Sequence, residues 1–482
     1  MEFTAVVFCG RGKTLEPFSE ARGTGLPKAL LPIANEPMIN YVLDWCQRAV
    51  LAKILVVTQE ETSESVEATI EKYKKSRRER FAKESDGSEA TKYTTPIEIM
   101  PFTAENSAQI IYQLYKNTQF RSHTQNIMIL PCDFITDLPP AVIIEAFRNR
   151  NESDVGVYFT YKNQLEIEDK KSKIFGKKYT VYDGDADDSC LLDVYGKADI
   201  EMSKFLRIRT QMSWRYPRSI VSTKLLNSGI FLASNRIFNI IDESPSKFSE
   251  LYFERRNYDK FIRDLARRSW KHSKSKETVG LFVVPSEATF IRVNNLPVLM
   301  EANRQFMKKQ AMMKGQTLQG LQSKDKLAAH VGNDSIVGDG TELGEKTNVK
   351  RSVVGHNCTI GKKVRITGSL ILDNVTIGDD VQLENCIIGH HVKIQPKSKL
   401  INCNVESTND VPTGTQAKGD TLLCLNLEAV EDGESEEEFV LKTGPLSDSS
   451  SDEDDDDEDD TSEDESEFED EYTANDDGLF AY

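Results

Sequence analysis

Phe3-Thr4-Ala5-Val6-Val7-Phe8, running straight into Cys9-Gly10-Arg11-Gly12-Lys13-Thr14-Leu15-Glu16-Pro17-Phe18, is the stretch that decides the first half of the fold. A short, mostly apolar run stopped by glycines reads as a buried strand. The glycine-rich turn behind it lets backbone amides close around phosphate oxygens. After a spacer comes Leu26-Pro27-Lys28-Ala29-Leu30-Leu31-Pro32, which adds a lysine to the set.

Outward from this loop, short apolar runs alternate with amphipathic stretches as far as about residue 302. That pattern predicts a mostly parallel sheet flanked by helices. Strands are expected at Phe3 to Phe8, Lys53 to Thr58, Asn126 to Pro131, Val155 to Tyr161 and Leu225 to Leu232. Met38, Tyr41, Val42, Trp45 and Ala49 fall at helical spacing, and this aromatic stripe reads as core packing. Two inserts, Lys74 to Thr95 and Arg263 to Thr278, are read as solvated loops whose clustered Lys and Arg could alternatively attract RNA or an acidic protein. Asn303 to Gly315 reads as a connecting helix.

Beyond it a repeat sets in. Val337, Leu343, Val349, Val354, Ile360, Ile366, Ile371, Ile377, Leu383, Ile388, Ile394, Leu400 and Val405 follow one another in steps of six, six and five, so each column recurs every 17 residues. Three short strands per coil, each sending one aliphatic inward, make a triangular prism of about four coils. Gly338, Gly344, Gly355, Gly361, Gly378 and Gly389, each following an aliphatic, are expected to relax the corners. Val331 stands one residue out of register, so an irregular first coil is expected.

The formal charge of −18 over 482 residues is unevenly spread. Residues 431–482 hold 25 Asp and Glu against one Lys, which leaves the first 430 residues with 59 basic and 53 acidic side chains, a mildly basic body. The acidic segment 426–482 has little to bury and is expected to be disordered. Eight cysteines are scattered without a C-x-x-C pair or zinc spacing, so they read as small buried apolar side chains in a reducing compartment. No apolar run approaches the ~18 residues of a membrane span and no signal segment precedes the first strand, so a cytoplasmic protein is expected.

The strand, glycine loop and Pro27-Lys28-Ala29-Leu30-Leu31-Pro32 resemble the sugar-1-phosphate nucleotidyltransferase signature, Gly-Gly-x-Gly-Thr-Arg-Leu followed by Pro-Lys-x-Leu-Leu-Pro. Measured against it, Cys9 replaces a glycine, Lys13 a threonine and Thr14 the arginine. Asp133, in Pro131-Cys132-Asp133, matches the first metal-binding aspartate of that family. Val293, in Ile291-Arg292-Val293, occupies the place of the second. Asn106 stands where the base-side loop has glycine, while Lys28 and Asn227-Ser228-Gly229-Ile230 match. Gly10, Gly12, Lys28 and Asp133 are therefore expected to outline a vestigial nucleotide pocket with no catalytic residue, metal or cofactor of its own. Loss of one electrostatic stabiliser costs ~10²- to 10³-fold in rate, and here the arginine and one carboxylate are both missing.

A nucleotidyltransferase-like domain (1–302), a connecting helix and linker (303–325), a hexapeptide left-handed β-helix (326–425) and an acidic segment (426–482) resemble, as an arrangement, the family that holds the active GDP-mannose and ADP-glucose pyrophosphorylases and the gamma and epsilon subunits of translation initiation factor 2B. Pro131-Cys132-Asp133-Phe134-Ile135-Thr136-Asp137 and Arg292-Val293-Asn294 with Glu301-Ala302-Asn303-Arg304 look gamma-like. Epsilon is disfavoured because in that family it carries a helical-repeat exchange domain after the β-helix, where this sequence has the acidic segment. The resemblance implies a regulatory subunit that pairs with epsilon, joins alpha, beta and delta subunits in a two-fold assembly, and binds translation initiation factor 2 without contacting DNA or membrane. An active sugar-1-phosphate nucleotidyltransferase is the alternative, and a scaffold built from the same two domains a third reading.

Overall fold

The computed structural model describes residues 2–20, 23–84, 94–104, 106–165, 178–184, 189–196, 199–200, 204–272, 276–317 and 330–424. The acidic segment 426–482 lies outside them.

A ten-stranded sheet forms the first half. In sheet order its strands are Ser219–Ser222, Tyr179–Asp183, Cys190–Tyr195, Thr278–Val283, Asp154–Lys162, Leu225–Ser234, Asn126–Pro131, Phe3–Phe8, Leu51–Gln59 and Ile97–Phe102. All five strands expected from the apolar runs are present. Phe3–Phe8 lies between Leu51–Gln59 and Asn126–Pro131, parallel to both, so the glycine loop and Asp133 leave the sheet side by side. The parallel order ends at Leu225–Ser234, which runs antiparallel to Asn126–Pro131 and to Asp154–Lys162. One parallel pairing, Thr278–Val283 with Asp154–Lys162, and three further antiparallel pairings complete that side. The sheet is thus mixed: apolar runs mark where strands are and carry no information on their direction.

Helix Met38–Gln47 packs its aromatic stripe inward as expected, with the Trp45 indole N–H donating to the Leu138 carbonyl at 2.8 Å. Over the described residues most of each basic insert is helix and not the expected loop; residues 85–93 and 273–275 of these inserts lie outside the described residues. Lys74 to Glu84 continues the helix Ser63–Glu84, and Arg263 to Lys271 lies in the helix Tyr258–Lys271. There Arg263, Arg268 and Trp270 are buried. Arg267 reaches Asp193 of a distant strand at 3.1 Å, and Arg268 reaches Glu277, nine residues further along, at 3.0 Å, so paired acids allow the charges to sit inside. The connecting helix also starts earlier than expected, spanning Leu296–Thr317.

The second half is a three-sided parallel β-helix whose sheets hold six, six and five strands. Its register is the one read from the repeat. Val337, Val354, Ile371, Ile388 and Val405 pair in sequence, as do Leu343, Ile360, Ile377 and Ile394, and Val349, Ile366, Leu383 and Leu400. The stack continues through Val411, Ala417 and Leu422, so it exceeds four coils. Val331 pairs with Val349, a step of 18, which absorbs the irregular first coil.

The corner glycines act differently from expectation. Left-handed backbone occurs instead in three other columns: Gly340, Asn357, Asn374, His391 and Thr408; Lys346, Lys363, Asp380, Lys397 and Gly414; and Arg351, Gly368, Asn385, Asn402 and Gly419. The glycines after the aliphatics are there because successive coils touch. A Cβ on Gly338 would stand 2.6 Å from the Gly355 carbonyl carbon, and one on Gly344 would stand 2.4 Å from the Gly361 carbonyl oxygen. Corner acids are not idle either, since the Asp379 carboxylate accepts from the Lys362 N–H of the preceding coil at 2.6 Å.

Each doublet on one prism face sends one residue in and one out. The outward members Ile336, Val353, Leu370 and Ile387 form a second apolar column. This column packs against Leu15, Phe18, Leu31, Val293 and Val298 of the first half. The other two faces show Thr359, Thr376 and Lys393, or Asn348, Arg365, Gln382 and Lys399, at the corresponding outward positions. One face is therefore docked through apolar contact, and the side-chain amide of Asn35 donates a hydrogen bond to the Val354 carbonyl at 2.7 Å.

Candidate functional site

Asp133 sits where the strand Asn126–Pro131 ends, beside the glycine loop. It is 1% exposed and both of its oxygens are occupied. Lys28 Nζ lies 2.6 Å from Oδ2 and Arg292 Nε 3.3 Å from Oδ1. Burial alone would push the carboxyl up, but the charges and hydrogen bonds of Lys28 and Arg292 outweigh it and hold Asp133 below its ordinary value.

Local geometry explains how Arg292 arrives there. The short strand Phe290–Arg292 runs antiparallel to Phe134–Thr136 with Arg292 opposite Phe134, and the Val293 N–H donates to the Asp133 carbonyl at 2.7 Å. Adjacent residues face opposite ways. Arg292 turns to the carboxylate, whereas Val293 is fully buried in the apolar cluster with Leu15, Phe18 and Leu299. The place that the resemblance gives to a second metal carboxylate is thus filled by apolar packing. Gly229, with φ +73°, makes room for the guanidinium: a Cβ there would meet Pro131 Cγ at 2.9 Å and Arg292 Cζ at 3.1 Å. Asn227 accepts from Arg292 through its carbonyl at 3.5 Å and donates through its side chain to Asp259 at 2.7 and 2.8 Å.

On the loop, Gly12 has φ +73° and a Cβ there would stand 3.0 Å from Lys28 Cβ, so this glycine fits both the turn and the lysine. Gly10 is exposed with open space where a side chain would go. Lys13 opens a short 3₁₀ turn, and the Thr14 hydroxyl donates to the Asn294 carbonyl, which ties the loop to the residue after Val293. Cys9 shares a hydrogen bond with Cys132, and that bond together with burial pushes its thiol well up. Asn106 lies apart from this group at the start of helix Ser107–Lys116, its N–H donating to Gln109 Oε1 at 3.3 Å. The structure therefore gathers Cys9, Gly12, Lys28 and Asp133, and adds Arg292, which the sequence motif contained without marking. Its only signal was a cation one position before the missing carboxylate. Among the described residues no group of three or more His, Cys, Asp or Glu is placed to hold a metal ion.

Residues 5–168 match the family model for nucleotidyl transferase, and residues 319–415 match that for the EIF2B subunit epsilon LbH domain. The chain joins a nucleotidyltransferase-like domain to an eIF2B-type left-handed β-helix. The chain is similar to translation initiation factor eIF2B subunit gamma of Schizosaccharomyces pombe, with 26% identity over 367 residues, 72% of this chain and 74% of the relative. The gamma-like resemblance read from Pro131-Cys132-Asp133 and its neighbours is borne out at this level. No described helix is long and apolar enough to cross a membrane.

Proposed function

We propose that this chain is a regulatory, non-catalytic subunit of the guanine-nucleotide exchange factor that reloads translation initiation factor 2 with GTP, and that it pairs with and stimulates the catalytic epsilon subunit. Similarity to a gamma subunit over 72% of the chain supports the assembly role. The observation that carries the non-catalytic part is Asp133, whose charge is already neutralised by Lys28 and Arg292. Nucleotidyl transfer needs carboxylates free to hold Mg²⁺ between phosphates and a cation at the reacting phosphorus. Here a magnesium ion would have to displace a guanidinium, and Thr14 stands in place of the arginine. The active pyrophosphorylase reading is disfavoured on these grounds.

In this proposal Gly10, Gly12, Lys28 and Asp133 outline a pocket retained for structure. The two outward polar faces of the β-helix and the nucleotidyltransferase-like surface are available to epsilon and to the alpha, beta and delta subunits of a two-fold cytosolic assembly. The proposed boundaries remain near residues 302, 325 and 425.

Two measurements test it. Pyrophosphate release from GTP, ATP or UTP with hexose-1-phosphates and Mg²⁺ should be absent, and Val293→Asp alone should not restore it. Release of labelled GDP from factor 2 should be faster with epsilon plus this chain than with epsilon alone, and Thr14→Arg should leave that stimulation intact. No stimulation and no stable complex on gel filtration would refute the assignment.

A further inference from the structure

Of the three tryptophans, Trp45 and Trp270 are buried with their indole N–H groups bonded to the Leu138 and Leu192 carbonyls, while Trp214 is 81% exposed. An aromatic ring of this size left in water calls for a reason. It belongs to a stretch, 204–218, that splits cleanly in two. Leu206, Met212 and Tyr216 turn into a small core with Val181, Leu192 and Trp270. Phe205, Ile208 and Trp214 turn out, together with exposed Arg207, Arg209 and Arg218, and the Arg207 guanidinium stands 5.3 Å from the Phe205 ring centroid. The stretch leads into Ser219–Ser222, the edge strand of the ten-stranded sheet, which exposes Ile220 and Val221. From residue 202 to 241 there are seven Lys and Arg and no Asp or Glu; the sheet register brings the Asp183 carboxylate beside Ser219.

This face is cationic and aromatic, and residues 431–482 supply its complement. They carry 25 acidic residues against one lysine, interleaved with Phe439, Phe468, Tyr472, Phe480 and Tyr482. A chain of that length spans about 40 Å as a random coil and much more when extended, which is on the scale of a domain. We propose that the acidic segment of this chain docks in cis on the face formed by Phe205, Arg207, Ile208, Arg209, Trp214 and the edge strand Ser219–Ser222. The attraction is electrostatic and the aromatic contacts fix its place. Such docking lowers the net attraction of this face for other polyanions, RNA included. It is independent of the exchange-factor role.

Trp214 is the reporter, since the other two tryptophans are shielded. We compare iodide quenching of tryptophan fluorescence in the full chain and in a chain lacking residues 434–482. Docking predicts at least threefold weaker quenching in the full chain at 50 mM salt, lost at 500 mM. A synthetic peptide of residues 447–482 should restore protection to the shortened chain saturably, and at least tenfold more weakly at 500 mM salt. Arg207→Glu with Arg209→Glu should abolish protection in the full chain, whereas Lys393→Glu with Lys399→Glu, the same charge change on the β-helix, should leave it. Equal quenching of the two chains, or equal loss in both double variants, overturns the proposal. So does protection that grows with protein concentration, which would assign the contact to a second copy. Poly(U) binding the full and the shortened chain equally well at 50 mM salt overturns it too.

Discussion

The β-helix and the pocket end of the sheet use side chains in opposite ways. In the β-helix a residue's role follows from its place in a 17-residue period, and the residue above and below has the same role. At the pocket no position repeats: Asp133, Lys28, Arg292 and Gly229 each do one thing, and each depends on the other three. The first arrangement is redundant along the stack but intolerant inside it, and the second is local but tightly coupled.

The sharpest way to break the β-helix is to place a charge in an inward column. Ile377 is 2% exposed and lies between Ile360 and Ile394, so Ile377→Asp buries a carboxylate with no partner. A loss on the order of 5 kcal/mol is expected, enough to unfold or aggregate the domain in a thermal melt. Asp379→Asn should be nearly silent because the amide oxygen still accepts from the Lys362 N–H, whereas Asp379→Ala should cost about 1 kcal/mol.

At the pocket, Asp133→Ala leaves two cations facing each other without their carboxylate, with an expected loss of about 3 kcal/mol. The pH dependence has a definite sign. The folded carboxyl is held below its unfolded value, so its contribution is complete above about pH 4 and disappears as pH falls further. Asp133→Asn should flatten the acid side of a stability–pH profile, and an unchanged acid slope would show that the pair contributes nothing.

The apolar outward column lets the two regions be separated. Leu370→Ala removes contact with the first half while the inward Ile371 stays in place, and should cost about 2 to 3 kcal/mol. Calorimetry should show it as a split of one transition into two, with the β-helix melting last.

The smallest effect concerns Glu20. Burial lifts its carboxyl to about 7, with Glu61 adding to the shift and Arg11 and Thr62 opposing it. A carboxyl raised in the folded state favours folding when protonated, so stability should fall as pH rises from about 4.5 to 7. Glu20→Gln should remove that slope and stabilise the chain at pH 8 by less than about 1 kcal/mol, because the side chain keeps part of its water.

Legibility in the sequence follows the same division. Thirteen aliphatics in one register determined which residues pair in the β-helix, because a period repeated along the chain averages out local exceptions such as Val331. The outward column was visible as the doublets Ile336-Val337, Val353-Val354, Leu370-Ile371 and Ile387-Ile388, but only contact with the first half shows what covers it. The glycines were found and their reason misjudged, since coil-to-coil distance is not encoded in spacing. Arg263 looked solvated because Asp199 comes from another part of the fold, and Arg268 because Glu277, nine residues on, faces it only once the chain turns from the helix towards the strand Thr278–Val283. Arg292 and Asp133 are separated by 159 residues, and nothing short of the antiparallel pairing of Phe290–Arg292 with Phe134–Thr136 joins them.

Arg292 also acts as a ratchet. A carboxylate placed at position 293 would emerge inside an apolar cluster, facing away from Asp133. Removing Arg292 first would leave a cavity beside Gly229 and a carboxylate held by Lys28 alone. Either first step costs stability before any metal can repay it, so a carboxylate at position 293 and the present seat of Arg292 can be exchanged only together.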